Sequence, residues 1–258
     1  MKKTALITGA SSGIGLELAK EFAKSEINLV LVARSINKMQ DLAAELKQKY
    51  NVQVEIIAKD LSELNSSKEI YDLCSKKQIE ISYLVNNAGY GDFGNFATCN
   101  WEKQQNMINL NILTLTHLTH LFLPNMIKNK FGKILNLASI ASFQPGPNMS
   151  VYFASKAYVL HFSEAISNEL IGTGVTVTAL CPGATESGFQ VAAKMQESKL
   201  VKDKKLPSSK EVAEYGFNSM MEGKTVAIHG TMNYLMANAV RLTPRNLVLK
   251  LVRYIQNK

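Results

Sequence analysis

The stretch Lys3–Gly15, KTALITGASSGIG, decides the fold. Its first half is a short apolar run of the kind that forms a buried strand. Its second half is a cluster of small residues that ends the run and opens into a helical pattern, LELAKEFAKS. Glycines at Gly9, Gly13 and Gly15 permit a tight turn and close backbone approach to a pyrophosphate, while the helix amino terminus offers unpaired N–H groups and positive potential. On this reading Gly9, Ser11, Ser12, Gly13, Ile14 and Gly15 form the cradle of a dinucleotide. The spacing Gly-x-x-x-Gly-x-Gly departs from the more general Gly-x-Gly-x-x-Gly, and the position between a strand and a helix favours a ligand over a bare glycine turn.

Outward from that stretch, short runs rich in branched residues alternate with longer segments of helical period, which predicts a parallel sheet covered by helices on both faces. Strands are expected at Lys3–Thr8, Asn28–Ala33, Gln53–Ala58, Tyr83–Asn86, Lys133–Ala138, Thr176–Cys181 and Thr225–His229. Helices are expected at Gly13–Ser25, Asn37–Lys49, Ser66–Lys77, Trp101–Lys128, Ser150–Ile171 and Ser208–Gly223. The 258 residues suit one α/β domain, a Rossmann-type doubly wound seven-stranded parallel sheet. Two stretches fall outside the alternation. Residues from about 186 to 210, apolar at FQVAAKM and then basic, suit a substrate lid; residues from about 231 to 258 are expected to form a helical extension, with Pro244 as the first residue of a last helix.

A formal net charge of +8 raises the question of a polyanionic partner, but the lysines are dispersed and no aromatic-interleaved basic stripe appears, so no nucleic acid is expected. The densest basic group is Lys199, Lys202, Lys204 and Lys205. The cysteines Cys74, Cys99 and Cys181 are odd in number and widely spaced, without metal-ligand spacing, which predicts reduced thiols in a cytoplasmic setting and no metal. His117 and His120 lie three apart on a helix with no third ligand candidate. The opening MKKTALITGA imitates a secretory leader, yet its apolar stretch stops at glycine and serine and reads better as a strand. No apolar run reaches the roughly 20 residues of a membrane span. The last helix places Leu247, Leu251 and Ile255 on one face; packing onto the domain or a partner subunit is preferred over attachment to a membrane surface.

Arg34 stands at the end of the second strand, where an acidic residue would hold a ribose hydroxyl. A guanidinium pairs with a 2′-phosphate instead, which favours NADP(H), with Ser35 and Lys38 beside it; a solvated loop charge is the alternative. Asp60 and Leu61 follow the third strand, where an adenine would rest, and Asn87, Ala88 and Gly89 follow the fourth. In VYFASKA, Tyr152 and Lys156 are four residues apart on a helix, so the ammonium lies beside the phenol and is expected to lower its pKa toward the working pH. Such a tyrosine exchanges a proton with a substrate oxygen.

The ordered set TGASSGIG, NNAG at 86–89, Asn111, Ser139, YFASK at 152–156 and PGAT at 182–185 resembles the short-chain dehydrogenase/reductase family. The resemblance implies that Ser139 hydrogen-bonds the substrate carbonyl, Tyr152 acts as general acid in reduction, and Lys156 assists it and binds the nicotinamide ribose. It further implies that Asn111 holds a proton-relaying water and that Pro182, Gly183 and Thr185 line the nicotinamide. Duller roles stand beside these: Ser139 as a loop cap, Asn111 as an ordinary helix residue, Pro182-Gly183 as a turn.

The first functional expectation is an NADPH-dependent oxidoreductase acting on a small to medium apolar ketone or aldehyde, with Phe93, Phe96, Phe143, Met149, Phe189 and Met195 as candidates for the pocket. A second is reduction of 3-oxoacyl thioesters on an acidic carrier, prompted by the basic lid. A third, of another class, is a non-catalytic NADP-binding regulator or scaffold. The family resemblance also implies a homodimer or homotetramer through the helices at 101–128 and 150–171.

Overall fold

The computed structural model describes residues 2–193 and 205–256. Its strands are β1 (Thr4–Thr8), β2 (Asn28–Ala33), β3 (Val54–Ala58), β4 (Tyr83–Asn86), β5 (Gly132–Leu137), β6 (Val175–Cys181) and β7 (Val226–Ile228). All pair in parallel, in the order β3-β2-β1-β4-β5-β6-β7. The helices are α1 (Gly13–Lys24), α2 (Ile36–Tyr50), α3 (Ser66–Lys76), α4 (Trp101–Ile108), α5 (Leu115–Lys128), α6 (Ser150–Glu169), α7 (Phe189–Ala192), α8 (Ser209–Glu222), α9 (Thr231–Leu242) and α10 (Arg245–Gln256).

The strands are apolar almost throughout because both faces are covered. Side chains alternate along a strand, so Ala5 and Ile7 of β1 join one core while Leu6 joins the other. The first core takes Leu18 and Phe22 from α1, Met39 and Leu46 from α2, and Val212 and Met220 from α8; the second takes Ile70 from α3 and Leu118, Phe122 and Met126 from α5. Each such fully buried side chain contributes roughly 1.5–3 kcal/mol relative to exposure. Helix ends are set locally. The α8 start is a capping box in which Ser208 Oγ accepts from the Glu211 amide at 3.2 Å and the Glu211 carboxylate accepts from the Ser208 amide at 2.7 Å. Its end is Gly223, at φ 75°.

Strand order reverses between β1 and β4, and the carboxyl ends of the strands on either side of that reversal open a crevice. The C-terminal extension is helical, as α9 and then α10, which starts directly after Pro244. Two expectations need correction. The helix predicted from Trp101 to Lys128 is interrupted by a π-helical turn at Asn109–Thr114. In α10 the residues that face the domain are Val248 and Val252, whereas Leu247, Leu251 and Ile255 are exposed. Of the expected lid, Glu186 bridges to Ser208 and α7 follows at Phe189, while Lys199, Lys202, Lys204 and Met195 lie outside the described residues.

Candidate active site

The crevice is a cleft of about 760 Å³ whose wall is laid down by the segment after each of the first six strands: Gly9, Arg34, Asp60, Asn87, Ser139 and Pro182. At one end β1 stops at Gly9, which has φ 68°; a methyl there would lie 2.7 Å from Asn87 Nδ2 and 3.0 Å from Ala88 Cα. Ser11, Ser12, Gly13 and Ile14 line the cleft beside it. Ser12 is the N-cap of α1 but its side chain makes no capping bond, and the first turn carries no acidic residue. The opening amides of the helix therefore keep their donors and positive potential for an anion, which is what a pyrophosphate requires. The residues fit the cofactor that the sequence implies. Gly15 stands behind the wall rather than in it, because a methyl there would meet Asn87 Nδ2 and Gly9 O, each at 2.4 Å. Its task is to let helix and turn pack.

The cradle is fixed from the neighbouring strand. Thr8 Oγ1 donates to Val85 O at 3.2 Å and accepts from the amides of Asn87 and Ala88, each at 3.0 Å. Asn87 Nδ2 returns a bond to Thr8 O at 2.8 Å. Ala88 and Gly89 complete that wall. Farther along, Arg34, Ser35, Lys38, Lys59, Asp60 and Leu61 line the rim. Arg34 is 79% exposed, with Nη1 3.8 Å from Asp60 Oδ2, a loose pairing in water that leaves the guanidinium available. Burial works against the Asp60 carboxylate, but two hydrogen bonds from Ser62 and the charges of Arg34 and Lys59 hold its pKa below the usual value.

At the opposite end stand Ser139, Tyr152 and Lys156. Ser139 follows β5 and caps a short 3₁₀ turn, its Oγ accepting from the Ala141 amide at 3.1 Å and reaching Pro182 O at 3.4 Å. The capping role foreseen as a dull alternative is thus present. Burial pushes the Tyr152 phenol up to about 12, opposed by the neighbouring Ser139 hydroxyl. Burial likewise pulls the Lys156 ammonium down to about 8. This corrects the expected lowering of the tyrosine by its neighbour. Lys156 Nζ lies 5.9 Å from the centre of the Tyr152 ring and donates to Leu137 O at 2.6 Å, so burial dominates both groups. A lysine has three donors, and the remaining ones are left for the cleft.

Asn111 is buried in the π-helical turn, behind the lining. Its Nδ2 donates to Tyr90 O at 3.0 Å and Ser155 Oγ at 3.1 Å, and its Oδ1 accepts from the Tyr90 amide at 3.3 Å. It meets Lys156 across Gly89, where a methyl would lie 3.0 Å from Asn111 Oδ1 and 3.5 Å from Lys156 Nζ. Pro182, Gly183 and Thr185 line the cleft after β6, and Gly183 is packed so closely on Asn233 of α9 that a methyl would come within 2.6 Å of its Nδ2.

Of the candidate pocket residues, Phe93, Met149 and Phe189 gather with Phe153, Val248 and Val252 in an apolar cluster around Tyr152. Phe143 belongs to a separate core with Val159 and Leu160, and Phe96 is exposed. Gly91 lets the cluster close, since a methyl there would meet Phe189 at 2.8 Å and Met149 at 3.0 Å. Sequence reasoning missed Tyr90, which lines the cleft, and Thr8, Ser155, Asn233 and the valines of α10, which act through other residues; the threonine directly before Gly9 was the one visible signal.

Residues 3–198 match the model of the family described as short chain dehydrogenase. Among curated proteins, a very-long-chain 3-oxoacyl-CoA reductase of Anas platyrhynchos is 32% identical over 260 residues, covering 98% of this chain and 80% of its own. An NADP-dependent 3-hydroxy acid dehydrogenase of Schizosaccharomyces pombe is 31% identical over 236 residues, covering 89% and 91%. The chain spans from 65% to 91% of the length of three such relatives. Among solved structures, a short-chain dehydrogenase from Sphingobium yanoikuyae in complex with NADPH superposes with a TM-score of 0.82 at 30% identity, covering 93% of this chain and 94% of that one. A dinucleotide-type cleft at the sheet reversal and a family match running from β1 past α7 point the same way: the chain belongs to the short-chain dehydrogenase/reductase family of oxidoreductases.

Proposed function

We propose that the protein is an NADPH-dependent reductase of a carbonyl group carried on an apolar substrate. The observation that carries this reading is the placement of Tyr152, lining one cleft with Ser139 and Lys156, between a cradle suited to a dinucleotide and an apolar mouth. Bound NADPH supplies the hydrogen and two electrons that the carbonyl carbon receives. The chain's own residues handle the oxygen. Ser139 and Tyr152 donate hydrogen bonds to it as negative charge develops, and Tyr152 gives up its proton, so the product is an alcohol and the tyrosine is left as phenolate. Lys156, pinned by Leu137 O, holds a cation near that phenolate, and Asn111 fixes the Tyr90 backbone behind it. A phenol pushed up to about 12 keeps its proton across the neutral range and can donate it.

Arg34, Ser35 and Lys38 at the open rim suit a 2′-phosphate, and the relatives named for NADP and NADPH agree with that preference. Phe93, Met149, Phe153 and Phe189 shape the mouth for an apolar ketone or aldehyde. A 3-oxoacyl thioester is the second reading, supported by the resemblance to the 3-oxoacyl-CoA reductase. Self-association through α4, α5 and α6 is supported by the exposed Ile108, Leu113 and Tyr158. The test is oxidation of NADPH and, separately, NADH by the purified protein across apolar ketones, aldehydes and 3-oxoacyl thioesters. Turnover with NADPH that disappears in Tyr152→Phe is expected; tight nucleotide binding with turnover that survives Tyr152→Phe would overturn the assignment of the proton donor. Nucleotide binding without turnover on any substrate would favour a cofactor-binding scaffold.

A further inference from the structure

We propose that the C-terminal helix pair, α9 and α10, docks on the surface of an anionic lipid bilayer. In α10 one edge of a wide apolar arc is spent on the domain: Val248 and Val252, four apart, are buried in the mouth cluster with Met149 and Phe153. The adjoining edge, Leu247, Leu251 and Ile255 at helical spacing i, i+4, i+8, stays exposed, Leu251 by 48%. The pattern recurs in α9. Ala237 faces inward, while Met232, Leu235, Met236 and Leu242 are exposed, Leu235 by 57% and Leu242 by 91%. A single exposed leucine is ordinary on a protein surface; two successive helices that each leave an apolar edge outside mark an interaction surface.

Charge identifies the occupant. From Thr231 to Lys258 the sequence has no Asp or Glu and carries Arg241, Arg245, Lys250, Arg253 and Lys258, which account for most of the chain's formal charge of +8. At 100° per residue Lys250 and Arg253 fall outside the apolar arc of α10, on its polar side. A helix with an exposed leucine edge, whose charged residues are all cations set off that edge, is suited to an interface between acyl chains and acidic headgroups. A second copy of the chain suits it poorly, because a two-fold contact would set these cations against themselves with no carboxylate on either helix to neutralise them. Nucleic acid would use the cations and leave the leucines without a role. Among the described residues no helix is long and apolar enough to cross a membrane, so the contact lies in the surface plane. Since Val248 and Val252 of α10 share an apolar cluster with Met149 and Phe153, which line the cleft, docking brings the substrate entrance close to the bilayer.

The experiment is flotation of the full chain with vesicles of phosphatidylcholine alone and of phosphatidylcholine mixed with phosphatidylglycerol, at low and high salt. Partition into the phosphatidylglycerol vesicles is expected, falling as salt rises. Lys250→Gln with Arg253→Gln is expected to weaken it roughly 25-fold, about fivefold per cation. Leu247→Ser with Leu251→Ser is expected to weaken it at least about tenfold at either salt concentration. Both variants are checked for unchanged NADPH binding by fluorescence, which reports an intact domain. Absence of partition, or partition equal in the two kinds of vesicle and indifferent to the charge variant, would overturn the proposal. A dimer on size exclusion that Leu247→Ser with Leu251→Ser disperses, without flotation of the unmodified chain, would assign the surface to a second copy instead.

Discussion

Lys156 directs its ammonium to Leu137 O at 2.6 Å and leaves 5.9 Å between that nitrogen and the centre of the Tyr152 ring. The carbonyl belongs to the last residue of β5, so the sheet itself holds the lysine in place. The buried cation is thereby anchored before any ligand arrives, and the two titrating groups are both governed by desolvation.

That arrangement has a signature in stability. An unfolded lysine titrates near 10.5 and Lys156 near 8 in the folded protein, so between those values the unfolded chain binds the extra proton and stability rises with pH. Below pH 8 the whole cost of burying the charge is present. Lys156→Met is therefore expected to gain most, relative to the unmodified protein, below pH 8, with the gain shrinking toward pH 10.5. Thermal unfolding of both proteins across that range checks this; a difference independent of pH would sink it. Tyr152 acts with opposite sign, favouring the folded state progressively less from pH 10 to about 12.

Tyr152→Phe removes the proton donor while keeping the ring against Phe153 and Phe189. The expected loss in kcat is on the order of 10²–10⁴, with NADPH affinity changed by no more than a few-fold. Single-turnover rates and equilibrium binding separate the two quantities; a parallel loss in binding would mean that the hydroxyl also holds the nucleotide.

Arg34→Ala is expected to raise the Kd for NADPH by about 10- to 100-fold and leave that for NADH nearly unchanged, the cost of one charge-assisted contact to phosphate. Asp60 keeps its two bonds from Ser62 in the variant, so the loop is not expected to collapse. Titration of both nucleotides decides it, and an equal loss for both would make Arg34 a structural residue.

Gly9→Ala combines a left-handed backbone at φ 68° with a methyl 2.7 Å from Asn87 Nδ2 and 3.0 Å from the Ala88 backbone. Strain of about 1–3 kcal/mol is expected, together with loss of nucleotide binding as the turn relaxes into the cradle. Denaturant unfolding measures the first and fluorescence titration the second. Unchanged unfolding would show that the turn accommodates the methyl.

The sheet and the nucleotide end were legible because both are written locally. Branched runs such as Asn28–Ala33 could only be buried strands, and the glycines after Thr8 could only be a turn leading into a helix. The rest depended on depth and on contacts far apart in sequence. A π-helical turn at Asn109–Thr114 has the same apolar spacing as an α-helix over so few residues, so periodicity does not show it. Apolar spacing likewise identified α10 as amphipathic but not which edge of its arc would meet the domain, since Val248 and Leu251 are equally apolar. The proximity of Tyr152 to Lys156 was readable from their spacing; the burial that outweighs it was not.

Strand order carries a cost for the growing chain. A nascent polypeptide that has reached Phe131 holds β1 to β4 with one side of β4 still waiting for β5. That side becomes the middle of the finished sheet, apolar on both faces, and until Gly132–Leu137 emerges it is an open template for any other extended segment. Ribosomal pausing before β5 would thus lengthen the period of greatest exposure to aggregation.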